Sequence, residues 1–420
     1  MRFCANAFVA ALILAGSFAS TASAEEKTIK IGALYPLSGQ VAKSGEDTIN
    51  AIKLAVDVIN NADPASKLPF AKIAGLPNLG GAKIQLVAAD HQGSPEIGAA
   101  EAERLINQEK VVALIGAFHS SVAATSSQVA ERNQIPYISG ESEATTLTER
   151  KFKYFFRTTP SSRTQAQDFF TFLREVNERN ADNPVKTIAV VSENTLWGQE
   201  FAKSVEGYFK EFPEFTLVTK VSYAQGTTDV SSEVQRLIAA TPDVVIHASY
   251  DAEAILFAKT YKSFGFQPKG VMAIGAAFGS GAFRTALGAD ADYFLVREHW
   301  ARDLAGRNAL IEEVAQRYEK AYGKPMDGTP ARAFQAMMVL ADAINRAGST
   351  EPAQIRKALA ETNLPADQLI MPWEGVKFDT QGQNQLTRGI FIQTQSGAPV
   401  TVWPFDFATA KLVWPRPAWK

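Results

Sequence analysis

The chain has 420 residues, with 42 Lys and Arg against 44 Asp and Glu and a net charge of −2. Near-neutrality without a basic block argues against a nucleic-acid partner. The single cysteine, Cys4, sits at the extreme amino end, so neither disulfides nor thiols support the fold and a sizeable core must do so.

The amino terminus reads as an export leader. Arg2 precedes an apolar run at residues 8–15, and "STASAEE" supplies an Ala-x-Ala site, so cleavage is expected after Ala24. The run is too short to span a bilayer. Cys4 lies before it and cannot be a lipid-bearing cysteine at the cleavage site. No later segment is long and apolar enough for a membrane helix. The expected location is the periplasm, without membrane insertion. The length that remains suggests two domains.

From residue 29 the pattern alternates. A strand at 29–34 is followed by a helix at 45–60, on which Ile49, Ile52, Val56 and Ile59 share one face. Strands at 84–88, 111–115 and 135–139 follow, with helices near 95–108 and 120–132 between them. The rhythm restarts with helix 162–178 and strand 187–191. It continues through helix 198–211, strand 216–223, helix 229–240, strand 243–247, helix 251–264 and strand 271–274. Residues 308–362 read as mainly helical, and 390–394 as a strand. The loop 61–82, rich in Pro and Gly, reads as a surface excursion. Repeated βαβ units imply parallel sheets covered by helices.

In such sheets ligands meet the carboxyl ends of the strands. That rule gathers "PLSGQVAKSG", "DHQGSPE", "GAFHSSV" and "SGESEA" from the first half. From the second it gathers "SENTLWGQE", "HASYDAE" and "GAAFGSG". Ser120 and Ser121 stand where an apolar strand feeds a helix amino terminus, whose free N–H groups and partial positive charge attract anions. For Thr125, Ser126 and Ser127, capping or packing is the simpler reading.

An ordered series of segments carries a family resemblance: "IKIGALYPLSGQVAKSGEDTINAIKLAVDVIN", "VVALIGAFHSSVAATSSQVAERNQIPYIS", "YFFRTTPSSRTQAQDFFTFL" and "IAVVSENTLWGQEFAKSV". It resembles the type I periplasmic solute-binding proteins of ABC transporters, in the leucine/isoleucine/valine-binding branch, over nearly the whole chain beyond the leader. The resemblance implies two doubly wound α/β lobes joined by a three-strand hinge. Residues 25–157 and 293–385 would form one lobe, and 158–292 and 386–420 the other. It implies ligand contacts at Ser120, Ser121, Glu141, Glu143, Trp197, Tyr250 and Ala277. It also implies an inner-membrane permease with ATPase subunits as partner, a monomer, and no cofactor. The sequence departs from the family pattern twice. Amino-acid binders place an amine-pairing Glu where this chain has Ala277, and Glu141 and Glu143 stand where smaller residues are common.

Catalytic readings are weaker. There is no G-x-S-x-G elbow for a serine nucleophile. His91, His119 and His247 with Glu141 and Glu143 offer zinc-type donors, but without clustered spacing. The sequence therefore reads as a receptor that captures a small amino-acid-like or carboxylate solute by hinge closure, and not as an enzyme. Its alternatives are a ligand sensor for a membrane signalling protein and a secreted metal-dependent enzyme.

Overall fold

The computed structural model describes residues 27–275 and 277–419, so the expected leader lies outside the described residues. The first half runs β1 (Thr28–Tyr35), α1 (Ala42–Asn60), β2 (Lys83–Asp90), α2 (Pro95–Asn107), β3 (Ala113–Gly116), α3 (Ser120–Arg132), β4 (Tyr137–Ser139), α4 (Thr146–Glu149) and β5 (Phe155–Arg157). Its five strands form a parallel sheet in the order β2-β1-β3-β4-β5. Helix α1 buries Ile49, Ile52 and Ile59 of the predicted face, while Val56 is half-buried against the core and Ala55 beside it is buried.

The second half runs α5 (Ser162–Arg179), β6 (Thr187–Glu193), α6 (Leu196–Tyr208), β7 (Thr216–Tyr223), α7 (Ser231–Ala240), β8 (Val244–Ala248), α8 (Asp251–Ser263), β9 (Gly270–Ile274), α9 (Gly281–Leu287) and β10 (Leu295–Glu298). There follow α10 (Ala309–Tyr322), α11 (Gly328–Ala347), α12 (Pro352–Ala360), β11 (Asn363–Pro365), β12 (Gly375–Lys377), β13 (Ile390–Gln395) and β14 (Ala398–Trp403). A seven-stranded sheet has the order β14-β13-β10-β9-β8-β6-β7. Strands β6 to β10 pair in parallel, and β13 and β14 close one edge antiparallel. Helix α11 packs against α1 and β4, beside the first sheet.

Two points differ from the sequence expectation. The boundary at residue 293 assigned the following stretch to the first lobe, yet β10 pairs with β9 and β13 in the second sheet. Its strand character was hidden by Arg297, Glu298 and His299, which are buried polar residues. The loop 61–82 is also more than an excursion. Leu68, Ala71 and Leu76 are buried in the core, while Ile73 is exposed.

The chain passes between the sheets after β5, after β10 and before β13. Two of these passages are bound to each other. Arg157 Nε donates to Gln383 Oε1 at 2.7 Å, the Arg157 N–H to the Gly382 carbonyl at 2.7 Å, and the Asn384 N–H to the Arg157 carbonyl at 3.0 Å. The Arg157 guanidinium also donates to the Ala144 carbonyl at 2.6 Å, so this crossing is tied to the loop after β4.

Candidate functional site

The loops at the carboxyl ends of both sheets converge on one cavity. Phe118 and Ser120 come from the β3–α3 junction, and Glu141 and Glu143 from the loop after β4. Trp197 comes from α6, Ser249, Tyr250 and Asp251 from the β8–α8 junction, Gly275 and Ala277 from the end of β9, and Arg332 from α11. Of the seven residues singled out in the sequence, six line this cavity. Ser121 is half-buried and does not.

Gly116 turns the chain into the cleft. Its φ is 149°, and a Cβ there would lie 2.5 Å from the Leu34 carbonyl oxygen, so β3 approaches β1 too closely for any side chain. Ser120 then opens α3. Its Oγ accepts from the N–H groups of Glu143 and Ala144 at 3.2 and 3.1 Å. The hydroxyl thus fastens the β4 loop to α3 and keeps its own proton free to donate. Three other hydroxyls of the segment are taken up by carbonyls. Thr125 donates to the Pro95 carbonyl at 2.7 Å, Ser126 to the Val122 carbonyl at 2.7 Å, and Ser127 to the Ala123 carbonyl.

Three aromatic rings fill much of the site. Trp197 stacks on Tyr250 with centroids 5.0 Å apart, and Phe118 leans on Tyr250 at 5.7 Å. The remaining cavity is about 30 Å³, room for little more than a water molecule. A solute of several heavy atoms fits only when these rings separate. Trp197 and Tyr250 belong to the second half and Phe118 to the first, so separating them means moving one wall from the other.

Glu143 is the most connected group. Arg332 Nη1 pairs with its Oε1, His299 Nε2 lies 3.2 Å from the same oxygen, and Trp197 Nε1 donates to Oε2 at 3.1 Å. Burial opposes ionisation here, but Arg332 and the His299 hydrogen bond outweigh it and hold the carboxyl down at about 2. His299 is neutral, because burial and the nearby Arg297 and Arg332 push it well below its usual value. Arg297 donates to His299 Nδ1 at 2.9 Å, which leaves the proton on Nε2, facing Glu143. Arg297 is itself paired with Asp168 at 2.7 Å. A continuous polar chain therefore runs from α5 through the crossing after β10 to the cavity wall.

Glu141 behaves in the opposite way. Burial pushes it up to about 7, against the pull of Arg332 and a hydrogen bond from the Tyr35 hydroxyl to Oε2 at 3.1 Å. Its Oε1 has no hydrogen-bond partner among the described residues. Burial also raises Glu298 to about 7.

Sequence reasoning missed Arg332 and His299. The only signal was a lone Arg in the apolar run "PARAFQAMMVLA". The histidines considered as metal donors do not gather into one cluster. His247 Nε2 bonds the Tyr261 hydroxyl at 2.6 Å, and His91 and His119 meet edge to face. Among the described residues no group of three His, Cys, Asp or Glu is placed to hold a metal ion.

A family profile described as "Periplasmic binding protein" matches residues 28–398. The chain belongs to the periplasmic binding protein family. A Leu/Ile/Val-binding protein homolog 7 from Brucella suis is 30% identical over 413 residues, covering 97% of this chain and 98% of the relative. A homolog 8 from Brucella abortus is 29% identical over 394 residues, covering 91% and 92%. Among solved structures, a leucine binding protein from Thermotoga maritima has a TM-score of 0.74 at 21% identity, covering 90% of this chain and 99% of that one. A solute binding protein from R. palustris in complex with benzoate has a TM-score of 0.75 at 20% identity, covering 89% and 95%. The family and these relatives are binding proteins, so this chain is a solute-binding protein of the type I fold and not an enzyme. No helix among the described residues is long and apolar enough to cross a membrane.

The two glutamates of this binding protein carry opposite pH signatures. Glu143, depressed in the fold from an ordinary 4.5, contributes stability that is present above pH 4.5 and lost as pH falls toward 2. Glu141, raised in the fold, lowers stability as pH climbs from 4.5 toward 7. Urea unfolding at stepped pH is expected to show a shallower acid loss in Glu143→Gln than in the parent, and a shallower loss between pH 5 and 7 in Glu141→Gln. Parallel curves for parent and variants would contradict this assignment.

Proposed function

We propose that this protein is the extracytoplasmic receptor of an ABC importer. It captures a small amino-acid-like or carboxylate solute between two lobes and delivers it to an inner-membrane permease powered by separate ATPase subunits. The observation that carries the reading is one cavity walled by strand-end loops of both sheets, with Glu143 on the first side bonded to Trp197 on the second. A solute held by both walls stabilises the closed arrangement, and hinge motion follows from the three passages between sheets. We take Ser120, Glu141, Glu143, Trp197, Tyr250 and Ala277 as the solute-facing set and leave Ser121 outside it. The lobe boundary is best drawn after residue 298, with β10 in the second lobe. The receptor works as a monomer in the periplasm after cleavage behind Ala24.

The relatives named for Leu, Ile and Val and the neighbour holding benzoate set the range of compounds to try. The test is a thermal-shift screen of exported, mass-verified protein against amino acids, amides and aromatic carboxylates. A solute at 100 times its Kd is expected to stabilise the fold by about 2.7 kcal/mol. Scattering with that solute is expected to differ from scattering without it. No stabilisation by any compound class, or an exported chain that still carries residues 1–24, counts against the reading.

A further inference from the structure

The first-lobe wall of the cavity holds more acid than base. Glu141 and Glu143 line it and are buried, and both feel the Arg332 guanidinium, as does the buried Glu298 at the end of β10, which does not line the cavity. Arg332 holds Glu143 through Nη1 and Thr329 Oγ1 through Nη2 at 3.1 Å, and only its Nε has no partner among the described residues. No hydrogen bond from it reaches Glu141. Glu298 takes its own backbone neighbour, the His299 N–H, at 2.9 Å. Asp251, the other acid on the cavity, has a hydroxyl on each oxygen, Ser44 at 2.9 Å and Ser280 at 2.7 Å.

Glu141 alone combines three features. It lines the cavity, it is 4% exposed, and Oε1 lacks a partner while Oε2 is fixed by Tyr35. A buried carboxylate with an unsatisfied oxygen is costly unless it keeps a proton or meets a cation. Across the cavity, residue 277 is an alanine and supplies no charge. The walls between are the rings of Phe118, Trp197 and Tyr250, whose faces also attract cations.

We propose that Glu141 receives a cationic nitrogen of the solute through Oε1, so that the receptor selects amines and amino-acid-like zwitterions over carboxylates of the same skeleton. The proposal rests on the receptor reading given above. It makes the first lobe, and not position 277 of the second, the charge reader. Near neutral pH the arriving cation displaces the proton that burial keeps on Glu141, and that proton leaves to the buffer.

Two sets of probes test this on the mature protein. One is 2-phenylethylamine, L-phenylalanine and 3-phenylpropanoate. The other is 3-methylbutylamine, L-leucine and 4-methylpentanoate. Within at least one set the amine-bearing members are expected to bind and the carboxylate to fail. Glu141→Gln keeps the size and the acceptor for Tyr35. It is expected to weaken the amine-bearing probes about 10- to 150-fold, the loss of one charged hydrogen bond. Calorimetry in two buffers of different ionisation heat is expected to show proton release at pH 6.5 in the parent and none in the variant. Glu141→Asp, which keeps the charge, should recover part of the affinity and serves if the Gln variant folds poorly. Carboxylates or uncharged solutes binding while no amine does would overturn the assignment and leave the receptor reading intact. So would amine binding indifferent to Glu141. If nothing binds in these sets or in the broad screen, both fall.

Discussion

Arg332→Met is expected to be among the most damaging single changes on this chain. The variant leaves the Glu143 carboxylate buried with only neutral donors, His299 and Trp197. Removing one partner of a buried ion pair costs about 3–5 kcal/mol. Urea unfolding should show the loss as a large fall in the midpoint. The double variant Arg332→Met with Glu143→Gln removes both charges and is expected to regain much of the stability, because a neutral pair of similar volume needs no counter-ion. If the two single losses simply add, the pair does not act as a unit and the account of Glu143 is wrong.

Phe172→Ala should be comparably severe for a different reason. Phe172 lies fully buried on α5, stacked on Phe391 of β13 with centroids 4.5 Å apart and edge-on to Trp403 and Trp414. Truncating a buried Phe to Ala costs about 3–5 kcal/mol, through lost transfer energy and the hole left behind. The hole would open beneath the antiparallel edge of the second sheet, so hydrogen exchange should rise first in β13 and β14. A loss below 1 kcal/mol would mean that the neighbouring rings collapse into the space.

Much of this scaffold is legible in the sequence because its signals are local. The apolar steps of α1 and the repeated strand-then-helix rhythm each lie within about 20 residues of chain. Ends of strands and beginnings of helices then mark the cleft, and six of seven chosen residues meet there. What escaped depends on distant partners. Strand β10 looks polar until β13, 98 residues on by the pairing Leu295 with Gln393, covers it. Arg332 sits on a helix whose period says only that it is packed. Ser120 shows the limit at a single atom. A hydroxyl at a helix amino terminus either donates or accepts, and only the loop at Glu143 and Ala144, 23 and 24 residues away, shows that its lone pairs are in use.

The division of labour along each βα unit has an evolutionary consequence. The strands and helix faces that make the cores lie below the cavity, while its wall is drawn from junctions scattered between residues 118 and 332. Exchanging a wall residue that is neither in a buried ion pair, as Arg332 and Glu143 are, nor in a core ring stack, as Trp197 and Tyr250 are, changes the chemistry presented to a solute and leaves the strands beneath it in place. Glu141 and Ala277 are two such positions. They stand on opposite lobes, Glu141 bonded to the Tyr35 hydroxyl and Ala277 buried just beyond β9. A fold built this way can take a new solute through a single codon without refolding either lobe.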